Sequence, residues 1–292
     1  MRLLGIDLGG THVKYGLYDN TGRSLDEGRK IDTICHDLEL LLQSLDTIVF
    51  EYDNLDGLGI SVPGGIDKET GVLFEGGALK CLDDVDFLGI LQKRYSFPVA
   101  MENDANCATL AEMWLGNGKD AKNFVCLTVG TGIGGGMVID GKLYTGHRNY
   151  AGEFGYMRLP ASRKRKVLLG CTSTGQLLMY AKEEGFNLTG KEFFKKLDKT
   201  EPLMQIYKDW VNDLALGIYN IAVVVDPEKI LIGGGISATQ RIYADIREKV
   251  DEFIKISEYL CDIQVMPCFF QNDAGKIGAI YHLLHGGAFN EA

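Results

Sequence analysis

Gly5-Ile6-Asp7-Leu8-Gly9-Gly10-Thr11-His12-Val13-Lys14 is the stretch that decides the fold. The apolar run Leu3–Leu8 carries one acid, Asp7, close to its end, and alternation over Val13–Tyr18 resumes after a glycine break. Short apolar runs bounded by turn residues read as strands. The chain is therefore predicted to open as strand, turn and strand, with a further turn at Asp19-Asn20-Thr21-Gly22 and a third strand over Arg29–Thr33. The same device returns about 120 residues later as Val125–Val129, Gly130-Thr131-Gly132-Ile133-Gly134-Gly135-Gly136 and a strand over Met137–Ile139. Two copies of one strand-turn-strand unit predict two similar α/β domains facing each other.

Around these copies, strand and helix patterns alternate. Helical spacing marks Leu38–Phe50, Asp86–Arg94, Asn103–Leu115, Thr174–Glu184, Leu203–Val225, Tyr243–Ser257 and Ala274–Leu284. Apolar runs at Leu55–Val62, Pro98–Met101, Lys229–Ile232 and Ile263–Pro267 predict further strands. Turn residues cluster at Gly116-Asn117-Gly118, which sets the domain border there.

The 292 residues carry 30 Lys+Arg against 40 Asp+Glu, a net charge of −10, which argues against a nucleic-acid platform. The single basic run, Arg163-Lys164-Arg165-Lys166, is too short to supply one and reads as a solvated loop. No signal-peptide core or membrane span is evident, and the seven cysteines are scattered without a CxxC pair. A cytoplasmic protein with reduced thiols is expected, without nucleic-acid or membrane partners. Glycine is the outlier at 37 residues, where average usage would give about 20. With only 6 prolines, that excess must serve folded backbone.

Glycine turns at strand ends expose successive backbone N–H groups, tolerate positive φ and let an anion approach closely. Gly9-Gly10-Thr11, Gly130–Gly135 and Gly233-Gly234-Gly235 fit that description, each at the end of an apolar strand. Any one alone reads as a hairpin turn; three together point to a nucleotide site. Neither a Walker loop nor a Rossmann fingerprint is present. Asp7 precedes the first turn, where its carboxylate suits Mg²⁺ ligation through water or a cap on its own turn. Lys14 suits a phosphate or open solvent equally.

Glu102-Asn103-Asp104-Ala105-Asn106 follows an apolar strand and opens a helix, so its polar groups fall at the carboxyl edge of a sheet, where α/β ligands bind. Asp104 has the chemistry to take a proton from a hydroxyl attacking a phosphoryl group, and Asn103 to hold another hydroxyl. The same pattern fits a helix N-cap at either residue, and both readings stand at this point. Glu153, between glycines in Gly152-Glu153-Phe154-Gly155-Tyr156, suits either two sugar hydroxyls or an ordinary turn. Gly65 and Gly77 lie in further glycine-lined stretches, Pro63-Gly64-Gly65 and Glu75-Gly76-Gly77-Ala78. The five histidines lack metal-ligand spacing and read as structural or surface residues.

With these segments laid out, the chain resembles the ROK family (repressor, open reading frame, kinase) of bacterial sugar kinases. The match runs end to end and rests on Gly5–Lys14, Glu102–Asn106, Gly130–Gly136, Ala151–Gly155 and Ile232–Gly235 in family order. The resemblance implies an α/β, actin-like ATPase (ribonuclease H-like) fold, two domains around a cleft for ATP and sugar. It also implies that the last helix returns to the first domain. The expected domains are 1–116 plus 274–292 and the larger 117–273. It implies Asp104 as general base and Asn103 and Glu153 on sugar hydroxyls. Gly9, Gly10, Thr11, Thr131, Gly132 and Gly134 would surround the phosphates, Gly233, Gly234 and Gly235 the adenosine, with Mg²⁺ as cofactor. Relatives are usually dimers, so a homodimer is expected.

Two departures bear on the substrate. Family members commonly hold a structural zinc with a histidine three residues after the glutamate and three cysteines in a CxCGxxGC segment. Here Tyr156 takes the histidine place, and Leu159–Ser173 contains one cysteine, Cys171. Zinc is accordingly predicted absent. The glutamate expected after the last cysteine is also missing, with Leu168 and Leu169 near its place. In the family that histidine and glutamate contact hydroxyls at the reducing end of the sugar, so the resemblance implies a more apolar opening there. Gly71–Ala78, Gly152–Met157 and Asn272–Gly275 look like the zinc-lacking β-glucoside kinases of the family. The expectation is phosphorylation of the 6-OH of a glucose-type hexose or β-glucoside. N-acetylmannosamine or fructose phosphorylation is the runner-up, followed by a non-enzymatic sugar-responsive regulator and a partner-binding ATPase. With Asp7 so near the start, no room is expected for the DNA-binding domain of such a regulator.

Overall fold

The computed structural model describes residues 1–67, 70–159, 169–235, 240–255 and 263–286. The Arg163–Lys166 run, Leu168, Ser257 and Cys261 lie outside them. The chain divides into two compact units, Met1–Lys119 with Leu143–Ala151 and Asn272–Ala292, and Asp120–Lys142 with Gly152–Gln271.

The first unit is built on β1 (Leu3–Leu8), β2 (His12–Tyr18), β3 (Arg29–Asp32), helix α1 (Leu38–Val49) and β4 (Gly57–Val62). The short hairpin β5 (Gly65–Ile66) and β6 (Leu73–Glu75) comes next, then α2 (Phe87–Arg94), β7 (Val99–Asn103) and α3 (Asp104–Trp114). The sheet order is β3-β2-β1-β4-β7, with β1 antiparallel to β2 and parallel to β4. Strand β4 is buried along its length, as a strand covered on both faces must be. Leucines at 41, 42 and 45 bury one stripe of α1, and Asp37 caps that helix through the Leu40 amide.

The second sheet repeats this plan with β8 (Phe124–Val129), β9 (Ile133–Ile139), β10 (Lys142–Tyr144), β11 (Lys229–Gly233) and β12 (Gln264–Pro267). Its order is β10-β9-β8-β11-β12; β8 is antiparallel to β9 and parallel to β11, the same relations that β1 has. The helices are α4 (Thr174–Glu183), α5 (Gly190–Lys196), α6 (Glu201–Val225) and α7 (Gln240–Ile254). Trp210 on α6 is 1% exposed, and its indole N–H donates to the Ser173 carbonyl.

Helix α8 (Ala274–His285) belongs to the first unit, packing on β1, β4 and α3. Glycines make that approach possible. A Cβ at Gly5 would lie 2.9 Å from the Lys276 carbonyl oxygen, and one at Gly59 or Gly278 would collide with the backbone of Ala279 or Cys107.

Three sequence expectations need correction. Strand β9 begins at Ile133, so Gly134, Gly135 and Gly136 are ladder residues opposite Thr128, Leu127 and Cys126 instead of part of a turn. Their small size admits the neighbouring loop, since a Cβ at Gly135 would sit 2.5 Å from the Phe154 ring. Strand β7 continues through Glu102 and Asn103, because the ladder with Ser61 and Val62 outlasts the apolar pattern. Helices α5 and strands β5, β6 and β10 were not expected; all are short, and α5 starts at a capping box, Thr189 with Glu192.

Candidate active site

In the first unit the parallel ladder aligns Asp7 with Ser61 and Ser61 with Glu102, while the antiparallel one sets Asp7 against Lys14. The Asp7 side chain is only 15% exposed. Its Oδ1 accepts from the Ser61 hydroxyl at 2.9 Å, and Lys14 Nζ lies 3.2 Å from its Oδ2. Asp7 therefore does not cap its own turn; the Gly9 amide bonds the His12 carbonyl instead. Sequence reasoning missed Ser61, whose signal was a lone polar residue inside an apolar strand.

Asn103 is the N-cap of α3, accepting from the Ala105 and Asn106 amides at 2.9 and 3.1 Å. Its Nδ2 donates to the Gly64 carbonyl at 2.8 Å, which ties Asn103 to the Gly64-Gly65 turn. Gly77, with φ 58°, packs on the other side of that turn; its missing Cβ would fall 3.4 Å from Pro63. Asp104 is the first helical residue, exposed, with its Oδ1 receiving the Ala105 amide at 2.8 Å. The unpaired amides of a helix N-terminus favour an anionic side chain there. Glu102 is buried beneath, taking the Asn103 amide at 2.7 Å and the Asn106 side chain at 3.1 Å. His282 of α8 stands 3.9 Å from its other oxygen, so this histidine faces a carboxylate instead of plain solvent. Burial pushes the Cys107 thiol well up, and the charges of Glu102, Asp7 and Asp104 add to that effect.

The first glycine turn is closed on protein atoms. A Cβ at Gly9 would lie 3.0 Å from the His12 carbonyl, and one at Gly10 only 2.5 Å from the Ala78 methyl. Thr33 bonds the turn from the side, its hydroxyl to the Gly9 carbonyl at 2.6 Å and its amide to the carbonyl of the exposed Thr11 at 3.0 Å. Neither Gly9 nor Gly10 has positive φ, so close approach of protein atoms, not a left-handed backbone, calls for glycine here.

In the second unit the turn is open. Added Cβ atoms at Gly130, Gly132 and Gly235 would meet nothing within 4 Å, and Thr131 and Gly132 are exposed. The start of α4 supports this turn, with the Gly175 amide donating to the Gly130 carbonyl at 3.3 Å. Gly134 is inside β9 opposite Thr128, one strand residue beyond the turn. Gly233 ends β11, and Gly234 is the one glycine of the three nucleotide-type turns with positive φ, at 88°. Glu153 precedes the turn Phe154–Tyr156 and is half-buried. Three glycines press this segment onto β9: a Cβ at Gly152 or Gly155 would lie 2.6 Å from the Gly135 or Ile133 carbonyl oxygen, and Gly135 admits the Phe154 ring.

Residues 3–285 match the sequence pattern of the ROK family. This chain belongs to the ROK family. A β-glucoside kinase of Listeria innocua is 35% identical, aligning over 97% of this chain and 98% of its own length. An N-acetyl-D-glucosamine kinase of Vibrio atlanticus is 29% identical, with 98% of each chain covered. Among solved structures, a ROK family protein of Streptococcus pneumoniae in complex with sucrose superposes with a TM-score of 0.88 at 30% identity, over 98% of this chain and 99% of the other. With such relatives the ROK chain is a sugar kinase, and its two mixed sheets have the actin-like ATPase fold. No described helix is long and apolar enough to cross a membrane.

Proposed function

We propose that this ROK kinase transfers the γ-phosphoryl group of ATP to the 6-OH of a glucose-type hexose or a β-glucoside, with Asp104 as general base. The observation that carries the reading is Asp104 itself, an exposed carboxylate on the first residue of α3, directly after Asn103 at the end of β7, in the sheet where Asp7 lies one residue before the end of β1. The β-glucoside kinases at 34–35% identity support the acceptor.

In this reading Asn103 and Glu153 hold sugar hydroxyls, with Gly65 and Gly77 beside the ring. Asn103 Nδ2 keeps a second hydrogen for that purpose after bonding Gly64. Asp104 takes the proton of the 6-OH as its oxygen bonds to the γ-phosphorus, and the bond to the ADP oxygen breaks. Thr131, Gly132 and Gly134 serve the phosphates with Gly9, Gly10, Thr11 and Lys14, and Gly233, Gly234 and Gly235 the adenosine. The open space at Gly130 and Gly132 supports an anion approaching that backbone. Asp7 fits Mg²⁺ held through water, being a hard-oxygen donor already oriented by Ser61. The metal would neutralise charge on the phosphates. Zinc has no part in the proposal.

Initial rates with ATP across glucose, cellobiose, N-acetylglucosamine, N-acetylmannosamine and fructose test the reading, with the product's phosphate position read by NMR. Glucose and cellobiose should lead. Strong preference for N-acetylmannosamine or fructose would overturn the acceptor, and ATP turnover indifferent to sugar would overturn the kinase assignment.

A further inference from the structure

We infer that Tyr156 is a specificity residue, its ring forming the platform on which the aglycone of a β-glucoside rests. The inference builds on the proposed β-glucoside reading and names what recognises the part of the substrate beyond the glucose ring. Tyr156 closes the turn Phe154–Tyr156, whose first neighbour is Glu153. The turn sorts its two rings to opposite fates: Phe154 is 8% exposed and packed on Gly135, while Tyr156 is 63% exposed. Among the described residues the Tyr156 ring stacks on no other ring and its hydroxyl meets no partner.

An aromatic ring displayed in this way is useful only if its backing is fixed, and here it is. The Tyr156 amide donates to the Glu153 carbonyl at 3.1 Å and the Met157 amide to the Phe154 carbonyl at 2.9 Å. The Leu169 amide pins the far side through the Met157 carbonyl at 2.7 Å, and Gly155 lies flat against Ile133. The two other described rings exposed above 60% stand elsewhere in the chain. Phe269 packs edge-on against Phe270, and Phe50 is the C-cap of α1.

A carboxylate for hydroxyls beside an open aromatic face matches an amphipathic ligand with a polar ring and a flat or C–H-rich extension. A free hexose has no such extension, so the ring should act on glucosides selectively. Because stacking uses the ring and not the hydroxyl, phenylalanine should replace tyrosine without loss.

The test is steady-state kinetics with ATP on glucose, cellobiose and phenyl β-glucoside for the wild type, Tyr156→Phe and Tyr156→Ala. In Tyr156→Ala, KM for phenyl β-glucoside should rise about tenfold with little change in kcat, the scale of one aromatic contact. Values for glucose should stay at wild-type level, which also reports correct folding. Tyr156→Phe should match the wild type on all three sugars. Equal losses on glucose and glucoside, no loss in the alanine variant, or a phenylalanine variant as impaired as alanine would each overturn the inference. A wild-type enzyme that phosphorylates glucose but no glucoside overturns it too, leaving the kinase reading intact. Inactivity of the wild type on all three sugars would instead remove the acceptor reading beneath it.

Discussion

Across the first sheet, one row of residues near the carboxyl edge reads Lys14, Asp7, Ser61 and Glu102. The equivalent row of the second sheet reads Gly134, Thr128 and Gly233, with Cys268 one residue past the end of β12. The strand order and directions are the same. Three ionisable groups therefore stand where the other copy has none, apart from a buried thiol. The turns differ in the opposite sense: the first is filled by its own protein atoms, the second leaves its glycines facing open space. On the proposed reading, one framework serves proton and metal chemistry in one copy and backbone contact with an anion in the other. A fold fixes where the edges lie, and side-chain choice decides what each does.

The contrast is broken most severely by removing the acid. Asp104→Asn keeps the shape of α3 but cannot take a proton, so kcat should fall by about 10²–10⁴, while calorimetry finds nucleotide affinity near wild type. Comparable turnover would exclude Asp104 as base. The two glycine turns give the next test. Gly10→Ala drives a methyl into Ala78 and should cost about 1–3 kcal/mol in denaturant unfolding. The Cβ added in Gly132→Val meets no protein atom within 4 Å, so stability should hold while KM for ATP rises on the order of tenfold, as expected when an amide contact to a charged oxygen is hindered. If both variants lose stability alike, the turns do not differ as described.

The smallest effect lies away from both edges. Arg94 hydrogen-bonds Asp46 through two nitrogens, at 2.8 and 2.5 Å, and Tyr95 adds a third bond. The Arg94 contacts, then Tyr95, hold the Asp46 carboxyl below its ordinary range. A depressed folded value means stability present above about pH 4 and lost as the pH falls through that lower value. Asp46→Asn should therefore lower the urea midpoint slightly at pH 7 and flatten its decline in acid, with kcat unchanged. An unaltered acid profile would show the pair to be thermodynamically silent.

The sequence reading and the structure agree best where pattern and turn chemistry coincide. Leu3–Leu8 is the strand expected to the residue, and Asn103 and Asp104 fall at a strand-to-helix junction as expected. Of the two readings left open there, the cap applies to Asn103, leaving Asp104 as the exposed helical residue. What escaped detection depended on partners remote in sequence. Glycine at 134–136 looks like a turn until β8 supplies the ladder opposite. Ser61 looks incidental until the register sets it against Asp7, and Glu102 gains its meaning from α3 and His282. Within the three nucleotide-type glycine turns the expected positive φ holds only at Gly234, because hairpin shape and close packing were indistinguishable from composition.

Helix α8 has a consequence for synthesis. Its glycine-fitted seat on β1, β4 and α3 stays vacant until residues 274–285 leave the ribosome, long after the strands beneath it. The intervening unit is contiguous apart from Leu143–Ala151 and can condense first. The nascent half carrying Asp7 and Asp104 must wait with an apolar flank uncovered, the kind of transient exposure that invites misfolding when translation stalls late.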